Sequence, residues 1–227
     1  MPTVLITGAG RGLGFEFARQ YAADGWRVFA THRNPSGADQ LKTLEGNLNL
    51  VVLDVTDYGA IDALAHNLRR ESIDVLLNNA GIYGPRPCPL GSIDYAAWEE
   101  VMQINVYSVL RVSEAFSDHV ARSERKIIAA LGSKMGSMTD NTSGGSYIYR
   151  SSKAALNSVM KNLSVDLAAK GIAVGVFHPG WVRTDIGGPS AQIDVDVSVE
   201  GIIKVIAGLS LERSGRFFSY GGAEIPW

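Results

Sequence analysis

The chain has 227 residues, of which 46% are hydrophobic and 19% charged, and its formal net charge is -2. These values are typical of a soluble globular protein, and the length predicts one large domain, residues 1–227. There is no excess of Lys and Arg to suggest a nucleic-acid partner. No apolar run approaches the ~20 residues that a membrane span needs.

Cysteine content and the N-terminal segment indicate the compartment. Cys88 is the single cysteine, which excludes an internal disulfide and leaves no second thiolate for a metal site. The first residues lack the basic and long apolar regions of a signal peptide. We therefore expect a cytoplasmic protein with no metal, membrane or nucleic-acid partner.

A glycine-rich turn follows the first predicted strand, Thr3 to Thr7, and precedes a predicted helix, Phe15 to Asp24. The turn reads Gly8-Ala9-Gly10-Arg11-Gly12-Leu13-Gly14. Glycines let a backbone approach a pyrophosphate closely, and a helix N-terminus offers free N–H groups and a positive dipole end. A tight connection between strand and helix would use the same residues, but the position after the first strand favours nucleotide binding.

The second predicted strand, Arg27 to Thr31, ends where a dinucleotide fold reads the adenosine ribose. An acidic residue at this place would bond the 2′-hydroxyl group and repel a 2′-phosphate. This chain has Arg33 there and Arg11 in the glycine turn. Unless both are only solvated surface residues, they favour NADP(H) over NAD(H).

Two further strands end in polar residues. Leu48 to Leu53 is followed by Asp54 and Val55, and the Asp54 carboxylate can accept a hydrogen bond from an adenine amino group. Ile73 to Leu77 is followed by Asn78-Asn79-Ala80-Gly81. Asparagines at this place can tie neighbouring strand ends together or contact a cofactor, and we expect both.

A long helix is predicted from Tyr147 to Ala169, because no Pro or Gly interrupts it and apolar residues recur at helical spacing. Tyr149 and Lys153 lie one turn apart on one face of this helix. A neighbouring ammonium group favours the phenolate, so we expect Lys153 to lower the pKa of Tyr149. Such a tyrosine can exchange a proton near neutral pH. Tyr147 is a second tyrosine, but it has no lysine four residues on.

Three motifs in this order and at these separations resemble those of a classical short-chain dehydrogenase/reductase. They are Thr7-Gly8-x-x-x-Gly12-x-Gly14, Asn78-Asn79-Ala80-Gly81 and Tyr149-x-x-x-Lys153. The resemblance covers essentially the whole chain. It implies an α/β fold, a single Rossmann-type doubly wound parallel sheet with helices on both faces. It also implies hydride transfer between a nicotinamide cofactor and a carbonyl or alcohol substrate.

The resemblance also implies catalytic roles. Ser133 would orient the substrate, Tyr149 would exchange the proton, and Lys153 would bind the nicotinamide ribose. Asn105, in a predicted helix from Trp98 to Ala121, would hold a water that links the lysine to solvent. Ser133 lies 16 positions before Tyr149, more than is usual in the family, so Ser137 is the alternative on spacing alone.

The segment after the sixth predicted strand resembles the family's Pro-Gly-x-x-x-Thr motif, in which Val182 and Thr184 would hold the nicotinamide carboxamide. His178 is interpreted as structural. Gly187 to Val197 is predicted to form a mobile lid over a compact substrate. In full, the predicted cofactor-binding residues are Gly8, Arg11, Gly12, Leu13, Gly14, Arg33, Asp54, Val55, Asn79, Ala80, Gly81, Tyr149, Lys153, Pro179, Gly180, Val182 and Thr184.

The C-terminal tail and the extended loop from Asn141 to Gly145 resemble the branch of the bacterial C-factor and the sniffer-type carbonyl reductases. We therefore predict an NADPH-dependent reductase of a small aldehyde, ketone or quinone, forming a homodimer or homotetramer. Two alternatives remain: a dinucleotide-binding signalling or sensor protein with little turnover, and an NAD-dependent alcohol dehydrogenase.

Overall fold

A computed structural model describes residues 1–227, and its centre is one seven-stranded sheet in which every pairing is parallel. The strand order is β3-β2-β1-β4-β5-β6-β7. The strands are β1 (Thr3–Ile6), β2 (Arg27–His32), β3 (Asn47–Val52), β4 (Val75–Asn78), β5 (Ile127–Leu131), β6 (Ala173–His178) and β7 (Arg216–Ser219). The order reverses between β1 and β4, and a doubly wound sheet binds ligands outside the strand ends at such a point.

Seven α-helices connect the strands. They are α1 (Gly12–Ala23), α2 (Pro35–Leu41), α3 (Tyr58–Asn67), α4 (Tyr95–Met102), α5 (Ser108–Ala121), α6 (Tyr147–Asp166) and α7 (Val195–Ala207). A π-helical turn, Gln103–Tyr107, joins α4 to α5 without a break. None of the helices is long and apolar enough to span a lipid bilayer.

The core has two layers, one on each face of the sheet. Leu5 of β1 belongs to the layer that includes Phe116 of α5 and Met160 of α6. Its neighbours Val4 and Ile6 belong to the other layer, with residues of α1 and α7. Alternate side chains of a strand point to opposite faces, so a strand buried on both faces reads as a continuous apolar run. The predicted doubly wound sheet with helices on both faces is confirmed.

Two helices were not predicted. Short α2 begins after Asn34, whose side-chain oxygen accepts a hydrogen bond from the Gly37 amide, and Pro35 occupies its first turn. Helix α7 buries an apolar stripe at helical spacing that includes Val199 and Ile202. Because α7 starts at Val195, the predicted lid ends earlier than its expected limit at Val197.

Candidate active site

The carboxyl ends of the strands open into one cavity of about 1020 Å³. Every predicted catalytic and cofactor-binding residue except Asn105 lines this cavity. Parallel strands place their carboxyl ends at one edge of a sheet, so short segments distant in sequence meet there. The structure therefore brings the sequence-predicted residues together.

Tyr149, Lys153 and Ser133 form the centre of this cavity. Tyr149 and Lys153 lie in α6, and Lys153 Nζ lies 5.8 Å from the centre of the Tyr149 ring. Nζ donates a hydrogen bond to the Leu131 carbonyl oxygen at 2.9 Å, at the end of β5. Gly136 lies against the Lys153 backbone, where a Cβ would be 2.7 Å from the Lys153 carbonyl carbon. This close contact fixes the turn after β5 against α6.

The structure distinguishes Ser133 from Ser137. Ser133 lines the cavity beside Tyr149, where its hydroxyl group acts to lower the pKa of that phenol, and its Oγ accepts a hydrogen bond from the Met135 amide at 3.2 Å. Ser137 is buried, and its Oγ accepts a hydrogen bond from the Asp140 amide at 3.1 Å. Ser133 is therefore the serine placed beside the tyrosine, and the extra residues of the loop follow it without displacing it.

The sequence predicted that the pKa of Tyr149 is lowered, and this prediction is wrong for the protein without cofactor. Burial raises the pKa of Tyr149 to about 12, and the opposing effect of the Ser133 hydroxyl group does not reverse this. Burial also lowers the pKa of Lys153 to about 8. Removal from water disfavours the charged form of either group. At neutral pH Tyr149 is a phenol, which can donate a proton.

Asn105 lies behind the cavity, in the π-helical turn between α4 and α5. Its Nδ2 donates to the Ile82 carbonyl oxygen at 2.8 Å and to Ser152 Oγ at 3.1 Å, and its Oδ1 accepts from the Ile82 amide at 2.9 Å. A Cβ on Gly81 would lie 3.2 Å from Asn105 Oδ1 and 3.7 Å from Lys153 Nζ. Glycine thus leaves a gap between these two polar groups. π-helical turns occur frequently at functional sites.

The glycine turn presents backbone amides to the other end of the cavity. The first N–H groups of any helix lack intrahelical acceptors, and α1 also has no side-chain cap at its N-terminus to accept hydrogen bonds from them. Gly8 and Gly12 have φ values of 67° and 54°, which favour glycine. At Gly14 a Cβ would overlap the Gly8 carbonyl oxygen and lie 2.5 Å from Asn79 Nδ2. The turn can therefore approach an anion closely.

Asn79 ties β1 to β4 at the point where the strand order reverses. Its Nδ2 donates to the carbonyl oxygens of Thr7 and Gly8 at 2.8 and 2.9 Å. Thr7 Oγ1 in turn accepts hydrogen bonds from the Asn79 and Ala80 amides. The structural role expected for this asparagine is present, and its position on the cavity wall leaves the backbone from Asn79 to Gly81 open to a ligand.

Two arginines lie where the sequence analysis expects the adenosine half of a cofactor. Burial alone would raise the pKa of Asp54, but hydrogen bonds from the Thr56 amide and hydroxyl groups and the nearby Arg33 charge lower it below its usual value. Arg11 forms an ion pair with Asp185 at 2.6 Å. Asp185 was not predicted as a site residue, although it directly follows the predicted Thr184, because its ion pair joins positions 174 residues apart.

The segment after β6 forms a wall of the cavity that contacts the glycine turn through the Arg11–Asp185 ion pair. Gly180 has a φ of 84°, and the Pro179 carbonyl oxygen accepts a hydrogen bond from Ser198 of α7 at 2.7 Å. Val182 pairs with Ile193, which closes the intervening loop at its base. Thr184 Oγ1 accepts a hydrogen bond from the Gly187 amide at 3.2 Å. These contacts hold the segment as a compact flap over the cavity.

Tyr83 and Arg86 cover Tyr149, and the sequence identified neither by itself, although pocket residues were expected within Pro85 to Ser92. The Tyr83 ring stacks on the Tyr149 ring with centroids 4.2 Å apart, and the Arg86 guanidinium lies 3.4 Å from the centre of the Tyr83 ring. Arg86 also donates a hydrogen bond to the Ile186 carbonyl oxygen at 2.8 Å. The one available signal was an aromatic and a cationic residue shortly after Gly81, and it has no diagnostic spacing.

His178 lines the same cavity at the end of β6. Burial, with a smaller effect from the Lys134 charge, lowers the pKa of His178 to about 4. The imidazole is therefore neutral across the physiological range, as a structural histidine would be. The structure contains no cluster of three or more His, Cys, Asp or Glu side chains that could hold a metal ion.

The comparisons with known proteins agree with this geometry. A family model described as short chain dehydrogenase matches residues 2–193. The chain is 45% identical over 165 residues to the C-signal protein of Myxococcus xanthus, which is 73% of this chain and 99% of that protein.

Two solved structures are similar over the full length of the chain. One is the carbonyl reductase Sniffer of D. melanogaster, with a TM-score of 0.93 and 32% identity over 100% of both chains. The other is the NADPH-bound carbonyl reductase from chicken fatty liver, with a TM-score of 0.92, 33% identity and coverage of 100% of this chain and 99% of that one.

Proposed function

The chain belongs to the short-chain dehydrogenase/reductase family of oxidoreductases, and we propose that it reduces a small carbonyl compound to the alcohol with NADPH. The observation that carries this proposal is the meeting of Ser133, Tyr149 and Lys153 in one cavity with Tyr149 in its phenol form. Solved carbonyl reductases of the same fold, one of them NADPH-bound, support it.

The residues of the cavity fit a phosphorylated nicotinamide dinucleotide. The uncapped N-terminus of α1 and the glycine turn, whose close packing needs glycine at position 14, suit a pyrophosphate. Arg33, aided by Arg11, would bind a 2′-phosphate, and Asp54 would accept from the adenine. The backbone from Asn79 to Gly81, together with Val182 and Thr184, would hold the nicotinamide half. NADPH, when bound, supplies the hydride.

Tyr149 donates the proton in this mechanism. Its pKa of about 12 keeps the phenol protonated at neutral pH, which suits carbonyl reduction rather than alcohol oxidation. Ser133, which lines the cavity beside the same phenol, would donate a hydrogen bond to the substrate oxygen. This bond stabilises the negative charge that develops on that oxygen as the carbonyl is reduced.

Lys153 and Asn105 would return a proton to Tyr149. Burial keeps the pKa of Lys153 near 8, so its ammonium group can release a proton close to neutral pH. A water in the gap beside Gly81 could accept hydrogen bonds from Lys153 and donate to Asn105 Oδ1. We propose this route, with Asn105 as a positioning residue, for the proton that the reaction consumes.

Two alternatives are weaker. The first is a signalling or sensor protein that binds the dinucleotide with little turnover, and the similarity to the C-signal protein is the observation in its favour. NAD-dependent alcohol oxidation is disfavoured by Arg33 and by the protonated Tyr149. A homodimer or homotetramer remains our proposal for the assembly, and light scattering measures it.

The decisive experiment compares wild type with Tyr149→Phe, using Tyr147→Phe as the matched control on the same helix. NADPH consumption is measured with a panel of activated ketones, aldehydes and quinones. Loss of the proton donor should reduce kcat about 10²-fold or more. NADPH binding should be retained, and the exposed Tyr147 should be dispensable.

Near-full turnover by Tyr149→Phe would contradict the catalytic assignment. If neither wild type nor the variant consumes NADPH although titration shows that both bind it, the sensor alternative gains support.

A further inference from the structure

The charge on the cavity wall is opposite in sign to that of the whole chain. The chain has 21 Lys and Arg residues against 23 Asp and Glu. The cavity is lined by six basic side chains, Arg11, Arg33, Arg86, Lys134, Arg150 and Lys153, and by three carboxylates, Asp54, Asp140 and Asp185. Such a concentration of positive charge in a cleft attracts anions.

Each carboxylate already has a cationic neighbour, which leaves part of the positive charge uncompensated. Asp185 pairs with Arg11 at 2.6 Å and Asp140 with Lys134 at 3.4 Å. Asp54 lies close enough to Arg33 for that charge to lower its pKa. The basic residues that remain are the buried lysine of the catalytic centre and two arginines, Arg86 and Arg150.

Arg150 and Arg86 differ in what their guanidinium groups bind. Arg150 donates to three neutral oxygens of the loop after β5, the carbonyl oxygens of Met135 and Gly144 and the hydroxyl of Ser143. Arg86 donates only to the Ile186 carbonyl oxygen. A guanidinium has five N–H donors, so most of those of Arg86 are free.

Stacking holds Arg86 close to the reacting groups. Its guanidinium lies on the Tyr83 ring, which lies in turn on the Tyr149 ring. The two centroid distances place the Arg86 guanidinium carbon less than about 8 Å from the centre of the Tyr149 ring, and its charge acts to lower the pKa of that phenol although the Arg86 side chain is exposed. The hydroxyl of Tyr83 is hydrogen-bonded to Ser146 Oγ at 3.0 Å, which fixes the middle of this column.

On the basis of the proposed carbonyl reduction, we propose that Arg86 binds a carboxylate on the substrate. The substrate class is then an oxo acid, an aldehyde or ketone whose carboxylate lies toward Arg86 while its carbonyl oxygen lies at Tyr149 and Ser133. A planar guanidinium matches a carboxylate through two parallel hydrogen bonds. One available arginine suits a group with a single negative charge, whereas a phosphate would need further donors that are already engaged here.

The test uses 3- and 4-carboxybenzaldehyde and their methyl esters, which keep the same aldehyde but lack the negative charge. The proteins are wild type, Arg86→Gln and Arg86→Lys, with Arg70→Gln as the charge-matched control because Arg70 is exposed and outside the cavity. The readouts are kcat/KM with NADPH at several ionic strengths, and binding of acid and ester to the NADPH complex by fluorescence titration.

We expect wild type to prefer at least one acid over its ester by about tenfold in kcat/KM, the effect of a charge-assisted hydrogen bond. Arg86→Gln should remove most of this preference, measured as the ratio of acid to ester kcat/KM within each protein, so that any effect of the lost charge on Tyr149 applies to both substrates and cancels. Arg86→Lys should restore part of it, because the charge remains but the planar fork does not. Added salt should lower the ratio of acid to ester kcat/KM in wild type, because salt screens the attraction between Arg86 and the carboxylate and the esters carry no charge.

The outcomes separate this inference from the proposed function. If wild type reduces esters and acids equally and Arg86→Gln leaves the ratio unchanged, the carboxylate inference is overturned while carbonyl reduction stands. If wild type reduces neither the acids nor the esters, the proposed function fails for these aldehydes. The fluorescence titration of acid binding then tests the carboxylate inference. Saturable acid binding that Arg86→Gln weakens supports Arg86 as the carboxylate site, and its absence overturns it.

Discussion

Replacing Lys153 with methionine should stabilise the folded protein at neutral pH while abolishing activity. Burial lowers the pKa of Lys153 from 10.5 to about 8, so at pH 7 the folded chain holds this ammonium group at a cost of about 3 kcal/mol relative to the unfolded chain. Methionine fills similar space without a charge. It leaves the Leu131 carbonyl oxygen without the Lys153 bond, which costs about 1 to 3 kcal/mol.

The net gain in the free energy of unfolding at pH 7 is therefore between zero and about 2 kcal/mol. The pH dependence of this gain tests the effect of burial more directly than its size at one pH. Between pH 8 and 10.5 the unfolded chain keeps the Lys153 proton and the folded chain does not, so wild type gains stability as pH rises. Lys153→Met lacks this gain. Its advantage should shrink by about 2 kcal/mol between pH 8 and pH 10.

Urea unfolding of both proteins at a series of pH values measures this difference, in which the other titrating groups largely cancel. Lys161→Met is the matched control, because Lys161 is an exposed lysine of the same helix whose ammonium keeps its hydration. We expect that control to change stability little at any pH. Parallel pH curves for wild type and Lys153→Met would refute the reasoning from burial.

Two further substitutions test the cofactor half of the cavity. Arg33→Gln should raise KM for NADPH about tenfold or more, because a charge-assisted hydrogen bond to the 2′-phosphate is lost. KM for NADH, which lacks this phosphate, should stay nearly unchanged. An equal rise for both cofactors in steady-state kinetics would contradict the 2′-phosphate role. Gly14→Ala should destabilise the fold by about 1 to 3 kcal/mol, because the new Cβ overlaps the Gly8 carbonyl oxygen and crowds Asn79. Gly59→Ala is also in the first turn of a helix, but its Cβ would meet only Asp57 Oδ1, at 3.4 Å, which is an ordinary contact distance. It should therefore stabilise by about 0.5 to 1 kcal/mol; thermal melts that shift both variants the same way would refute this contrast.

Much of the fold could be predicted because its determinants are local. The β1 run, the glycine turn and the start of α1 follow one another within the first 23 residues, and strands buried on both faces read as apolar runs. Helix α2 escaped prediction because its seven residues are too few to show a helical period. Helix α7 has an apolar stripe at helical spacing, but it directly follows the Gly- and Pro-containing loop, so the two segments read as one loop in the sequence.

The pairing of Tyr149 with Lys153 was also local, since residues four apart share a helix face. Similarity of motifs then added Ser133, and the structure placed it rather than Ser137 beside the tyrosine. The direction of the Tyr149 pKa could not be read in this way. It depends on burial, which comes from Tyr83 and the turn after β5 as well as from α6.

By itself, the sequence determined the glycine turn and the helix that carries Tyr149 and Lys153, because each depends on periodicity or spacing within a short segment, and the resemblance of its motifs to a known family implied the parallel sheet. Only the tertiary structure decided the protonation of Tyr149, the ion pair of Arg11 with Asp185 and the placement of Arg86 over the catalytic centre. Arg86 and its partner Ile186 are 100 residues apart, in loops with no repeating pattern. Such contacts arise only when the sheet brings the ends of its strands together.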